Sequence, residues 1–239
     1  SVYAALGQAF FTLSLGIGCM AIFGSYIEKE RSLTGEALLV TALDTLVALC
    51  AGLIIFPACF AYGVNPGAGP GLIFVTLPNM FNQMPSGQLW STLFFLFMSF
   101  AALSTVIAVF ENIIAGLMDR LGWKRQSAAL FTGVAILILA IPCALGFNRW
   151  SGFQPLGAGS GVLDLEDFLL SYNLLPIGAI VYVTFCVSRY GWGWDGFIKE
   201  VNTGQGLKFP TFLRGYLTYV APVIVLLIFL AGYWEKFFK

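Results

Sequence analysis

Histidine is absent from this chain of 239 residues, and Asp, Glu, Lys and Arg together make up only 10% of it. The first absence removes imidazole metal ligands and the commonest general base. The second sets the chain apart from soluble domains, which are roughly a quarter charged. Lys plus Arg and Asp plus Glu number 12 each, so no basic surplus exists to hold nucleic acid. No nucleotide-binding glycine loop and no nucleophile–base constellation occurs, so nothing points to an enzyme. The five cysteines, Cys19, Cys50, Cys59, Cys143 and Cys186, lie in apolar runs. Their spacings fit neither a zinc nor a disulfide framework, and they read as small packing residues. There is no tandem repeat of short period and no low-complexity tract. There is also no signal peptide and no initiator Met, and the chain reads as a piece of something longer.

What is present is apolar: 59% of residues are hydrophobic and the mean hydropathy is +0.86. This composition describes an all-α polytopic membrane protein. Six spans are expected, at 2–27, 36–63, 89–118, 127–145, 168–187 and 212–234. Lys29 and Arg31 follow the first span, Arg120, Lys124 and Arg125 the third, and Arg189, Lys199, Lys208 and Arg214 the fifth. The connection after the second span has no basic residue, and the one after the fourth has only Arg149. The positive-inside rule then places the N-terminus outside a multi-pass protein of the plasma membrane.

The first span is interrupted. FFTLSLGIG, Phe10 to Gly18, puts Thr12, Ser14, Gly16 and Gly18 where a spanning helix should be most apolar. A helix broken at membrane depth frees backbone groups that lipid cannot satisfy, so it persists only beside protein or a polar cavity. Freed carbonyls at a half-helix end suit a cation or an ammonium group. The break therefore points to a transport site. Residues 64–88 carry NPGAGPG and then LIFVTLPNMF, too short and interrupted to span. They are read as an outside lid or re-entrant hairpin, the alternative being an apolar loop on the bilayer surface.

Two acidic residues fall well inside spans, Asp44 in TALDTLVALCAG and Glu111 in STVIAVFEN. A carboxylate at that depth faces a partner or a wet cavity. Each could coordinate an ion or proton, or tie helices together; Asp44 is read the first way and Glu111 the second. Ser104 and Thr105 lie side by side in the third span, with one hydroxyl expected to bond its own helix and the other to reach a ligand.

These segments, in this order, resemble the second half of the sodium-coupled neurotransmitter symporters and their bacterial amino-acid-transporting members, with the leucine-transporter fold. GQAFFTLSLGIG resembles the unwound sixth helix and TALDTLVALCAGLIIF the seventh. NPGAGPGLIFVTLP resembles the fourth extracellular loop and FAALSTVIAVFENIIAGLMD the eighth helix. DLEDF at Asp164–Phe168 resembles the start of the tenth, and RYGWGWDGFIKEVNTG the link to the eleventh. The resemblance implies the second inverted five-helix repeat, residues 1–187 with the lid, and then a link and one further helix at 188–239.

The resemblance also implies roles. Thr12 would contribute to a first sodium site, together with Asp44. Ala101, through its carbonyl, Ser104 and Thr105 would form a second. Phe11, Thr12, Ser14, Ile17, Thr105 and Val109 would line the substrate pocket. Carbonyls around Phe11, Thr12 and Ser14 would hold the substrate ammonium. Gln8 and Asp167 would belong to the extracellular gate.

Asp44 stands where many members have a sodium-ligating asparagine, and Ala48 where chloride-dependent members have serine. A fixed carboxylate beside the sodium makes a chloride counter-ion unnecessary, so no chloride is expected. The implied function is sodium-coupled transport of an amino acid, hydrophobic or aromatic given the apolar wall of Phe11, Ile17 and Val109. The partners are that substrate, the lipid bilayer and an N-terminal half carrying helices one to five. A non-transporting scaffold or assembly subunit is the alternative.

Overall fold

The computed structural model describes residues 2–61, 63 and 72–238. Regular structure among the described residues is helical, apart from an isolated parallel bridge between Arg31 and Gln205. The first span is two half-helices, α1 (Val2–Thr12) and α2 (Cys19–Tyr26). Then come α3 (Leu33–Ala61), α4 (Leu77–Gln83), α5 (Gly87–Leu121) and α6 (Arg125–Gly146). The series ends with α7 (Val162–Asp167), α8 (Leu175–Val187), α9 (Gly193–Val201) and α10 (Ala221–Phe238). Leu33–Ala61, Gly87–Leu121, Arg125–Gly146, Val162–Val187 and Thr211–Trp234 are each long and apolar enough to cross a membrane. With the broken span these match the six expected segments, and the protein is a multi-pass membrane protein.

Three stretches widen into π-helical turns, Leu72–Thr76, Phe168–Leu174 and Tyr216–Val220. Each ends two residues before a proline: Pro78, Pro176 and Pro222. Proline has no N–H, and its ring collides with the carbonyl four residues back. In all three cases that carbonyl lies inside the π turn, whose longer register moves it aside. Pro57 and Pro142, in contrast, sit within α3 and α6.

The helices group into two units. One comprises residues 38–107. Its core is Leu77, Met80 and Phe81 with Ile55, Ala58, Met84 and Phe94 packed around them. The Phe81 and Phe94 rings lie 5.6 Å apart. Half of the expected lid, 72–83, is therefore a helical arm that buries Leu77, Met80 and Phe81 within this unit and leaves Phe74 exposed, rather than spanning. The NPGAGPG half, with the rest of 64–71, lies outside the described residues.

The other unit comprises residues 1–37 with 108–239. Cys19, Ile114, Ala128, Leu175, Ala179, Val225 and Ile228 are among its buried residues. The Phe168 ring packs against Tyr172, Tyr233 and Phe237. The Tyr233 hydroxyl donates to the Asn173 side-chain oxygen, and the Asn173 amide donates to the Phe168 carbonyl at 3.0 Å. This joins α10 to the π turn before α8.

Connections rich in basic residues meet at one end of this unit. The Gln205 N–H donates to Glu30 O at 2.7 Å, and Ser32 N–H to Gln205 O at 3.1 Å. The buried Ser32 hydroxyl donates to the Leu207 carbonyl and accepts the Gly35 N–H at 3.4 Å, which caps α3. The Lys208 ammonium donates to the carbonyls of Asn202, at 2.7 Å, and Gly204. The connections after the first and fifth spans therefore share one side, as the charge alternation demands.

Candidate functional site

The helix break runs from Leu13 to Gly18. Ser14, Gly16 and Gly18 have φ of 49°, 96° and 94°, in the left-handed region that ends a helix. The segment also comes close to α8. A Cβ on Gly178 would collide with the Gly16 carbonyl, and a Cβ on Gly16 would collide with the Leu175 carbonyl. Backbone meets backbone here because both residues are glycine. Turn bonds satisfy part of the freed chain: Ser14 N–H to Phe11 O at 3.0 Å, and Leu15 N–H to Phe10 O at 3.1 Å. Ile17 N–H reaches Ser14 O at 3.4 Å. A carbonyl accepts twice, so the Phe11 and Ser14 oxygens each retain a lone pair. From α5, the Asn112 side-chain amide donates to Ile17 O at 2.8 Å.

Two cavities flank the break. One, of about 350 Å³, is bordered by Gln8, Phe11, Asp167, Ser171 and Phe229. It brings the two expected gate residues and one expected pocket residue to the same space. Ser171 donates to Asp167 Oδ1 at 2.7 Å, which orients that carboxylate. The other, of about 430 Å³, is lined almost wholly by apolar groups from α1, α2, α8 and α10, and Ser14 borders it.

On α5, Ser104 Oγ and Thr105 Oγ1 both donate to the Ala101 carbonyl, at 2.7 and 3.3 Å. The sequence reading gave only one of them a bond to its own helix. Residues three and four after Ala101 both reach its carbonyl, so both hydroxyls turn back. The three oxygens expected at the second sodium site are thereby gathered at one point, a donor type that suits a hard cation. Asp44 is half-exposed on α3, one turn before Ala48, and Thr45 beside it donates to Thr41 O at 2.8 Å. Val109 is half-buried on α5. Thr12 is the last residue of α1.

Glu111 ties helices together. The Tyr26 hydroxyl donates to its Oε1 at 2.5 Å, and Arg125 grips both oxygens at 2.8 and 2.7 Å. This fork-to-fork pair, with the Tyr26 bond, joins the end of α2 and the C-terminal third of α5 to the start of α6. Glu111 is 14% exposed and Arg125 60%. Removing Glu111 as Glu111→Gln, or Arg125 as Arg125→Gln, should lower the melting temperature of the purified protein. The double variant should lose less than the two singles combined, since they remove one interaction. Additive losses would mean that the pair is not coupled.

The profile of the sodium:neurotransmitter symporter family matches residues 2–236. The chain belongs to that family. Among its relatives, a sodium-dependent transporter of Haemophilus influenzae is 34% identical over 95% of this chain and 49% of its own length. The sodium-dependent transporter YhdH of Bacillus subtilis is 32% identical, over 96% of this chain and 51% of its own. MhsT, whose crystal structure is in complex with L-phenylalanine, is 36% identical. It matches this fold with a TM-score of 0.85, over 96% of this chain and 51% of MhsT. The chain thus spans about half the length of these relatives. As a symporter-family member it is no enzyme, and its fold is the leucine-transporter type expected.

Within this symporter framework, three contributors to the break were missed by the sequence reading. Gly178 and Tyr182 gave no signal, because their role is to meet the break across space. Asn112 did give one: an amide in an apolar helix needs a partner, as its neighbour Glu111 does.

Proposed function

We propose that this chain is the C-terminal half of a secondary transporter that imports an amino acid with sodium. The observation that carries this reading is the span broken at Leu13–Gly18 in a member of the symporter family. Breaks of this kind place half-helix ends and freed carbonyls at a site near the bilayer midplane. Phe11, Thr12, Ser14, Ile17, Thr105 and Val109 line the substrate pocket, and Gln8 and Asp167 belong to its outer gate. Thr12 and Asp44 contribute to one sodium site; Ala101, Ser104 and Thr105 contribute to the other. The N-terminal half completes both sites. Sodium binding organises the broken segment and biases alternating access, to the extent that sodium prefers one state over the other.

The substrate is hydrophobic or aromatic. Phe11, Ile17 and Val109 present an apolar wall, and MhsT, a structural relative, is seen with L-phenylalanine. Transport needs no chloride, because Asp44 supplies the negative charge beside the sodium. The protein acts in the plasma membrane, with the N-terminus of this chain outside. The test is binding and uptake of a panel of labelled amino acids by a protein carrying both halves, in sodium and in potassium. Sodium-dependent uptake of apolar or aromatic amino acids is expected. Absence of sodium-dependent uptake would overturn the reading in favour of a scaffold.

The second sodium site has its own test. Replacing Ser104 and Thr105 together by alanine deletes two oxygen ligands and leaves the Ala101 carbonyl. Apparent sodium affinity should fall about ten- to a hundredfold, the usual consequence of losing polar contacts to a charged group. An unchanged sodium titration would leave the two hydroxyls as helix-bonding groups only.

A further inference from the structure

We propose that Asn112 is a positioning residue that holds the broken helix in its substrate-binding shape by gripping the Ile17 carbonyl. The inference rests on the transport reading above and deepens it. At the break, the Phe10 and Phe11 carbonyls at the end of α1 and the Ser14 carbonyl are met by turn bonds from residues of the break, and the Gly18 carbonyl is met by Ile22 N–H at 3.1 Å. Ile17 O is the carbonyl served from another helix, by the Asn112 amide at 2.8 Å. An amide in a membrane span is costly without a partner. The partner here is unwound backbone 95 positions away in the chain rather than a side chain of a regular helix.

The neighbouring atoms leave this segment little room. Gly18, with φ of 94°, is buried, and the spot where its Cβ would stand is bordered by the Asn112 side-chain oxygen and the Tyr182 hydroxyl. Asn112 therefore meets the backbone twice, donating to Ile17 O and packing against Gly18. Two residues before Gly18, Gly16 is pressed against α8. With Asn112 of α5 and both Gly178 and Tyr182 of α8 packed against the segment, the peptide after Ile17 has one direction. That direction sets where the Ile17 side chain stands. Because Ile17 is a pocket wall in the transport reading, Asn112 governs substrate fit without touching substrate.

The test uses the transporter carrying both halves. Asn112→Asp keeps the shape but sets an oxygen against the Ile17 carbonyl. Asn112→Leu removes the polar group at similar volume; it cannot donate in any protonation state, and it serves if the aspartate variant does not fold. Both variants should bind substrate about ten- to a hundredfold more weakly at saturating sodium, the penalty for an unmet, part-buried carbonyl. The preference between large and small apolar amino acids should also change. A residue that merely packs two helices would not alter that preference. Backbone amides of 13–18 should exchange hydrogen faster in the variants, and those of α6 should not. A folded variant with wild-type affinity and preference, or with unchanged exchange at 13–18, overturns the proposal. If wild type itself binds no amino acid with sodium, the transport reading fails, and the exchange measurement still decides the role of Asn112 in holding the break.

Discussion

Gly16→Ala is expected to abolish sodium-dependent substrate binding and most of the folded protein. Two costs add at this residue. Its φ of 96° is strained for any L side chain, by about 1–2 kcal/mol. The new methyl also collides with backbone atoms, the Leu175 carbonyl and the Ala179 nitrogen, which cannot swing aside as a flexible side chain would. Overpacking of this kind costs roughly 1–3 kcal/mol and sometimes more. The sum is a large part of the 5–15 kcal/mol that typically separates folded from unfolded states. Gly178→Ala meets Gly16 from the other side and should be damaging too, though without the φ strain. Gly24 and Gly116 are the controls: both lie within helices, and an added Cβ at either meets nothing within 4 Å. Alanine there should be neutral or stabilising by about 0.5–1 kcal/mol. Yield of monodisperse protein and amino-acid binding measure all four variants. A well-folded Gly16→Ala protein that binds like wild type would falsify the close approach between the break and α8.

Asp44→Asn should cost sodium-driven uptake about a hundredfold, the upper range for losing a charged contact. The proposed first sodium site would then hold its cation without a fixed counter-charge, in a low-dielectric setting where that charge matters most. Wild-type uptake should be the same in chloride and in gluconate. Asp44→Asn combined with Ala48→Ser should regain part of the activity, and only in chloride. Ala48 is one turn along α3 from position 44, so a serine hydroxyl there shares a face with the asparagine and helps to form an anion site. Chloride-dependent wild-type uptake, or normal uptake by Asp44→Asn in gluconate, would show that Asp44 is not the resident counter-charge.

Much of this protein is decided by local sequence. A spanning segment needs only about 20 apolar residues in a row, so all six spans could be read, though the fifth was expected from 168 and its helix starts at Val162. The break was legible in Phe10–Gly18 for the same reason, two glycines and two hydroxyl residues standing where lipid demands an unbroken apolar helix, although the structure keeps Phe10 to Thr12 in α1 and unwinds only Leu13–Gly18. The alternation of basic loops depends on composition alone. It agrees with the structure, where the Arg31 and Gln205 connections pair at one end.

Other features depend on which surfaces meet. Glu111 could not be told from an ion ligand by its own helix. Its partners Tyr26 and Arg125 lie 85 and 14 residues away, and folding alone brings all three together. The π turns follow from prolines visible in the sequence, yet Pro57 and Pro142 sit in α-helix, so proline alone does not call for one. The glycines at 16 and 178 look like ordinary small residues until the break and α8 touch. The sequence by itself determined where the chain crosses the membrane and where it unwinds, because burial in lipid and helix geometry act over a few neighbouring residues. The tertiary structure alone decided what holds the unwound segment, because Asn112, Gly178 and Tyr182 reach it only through packing between distant helices.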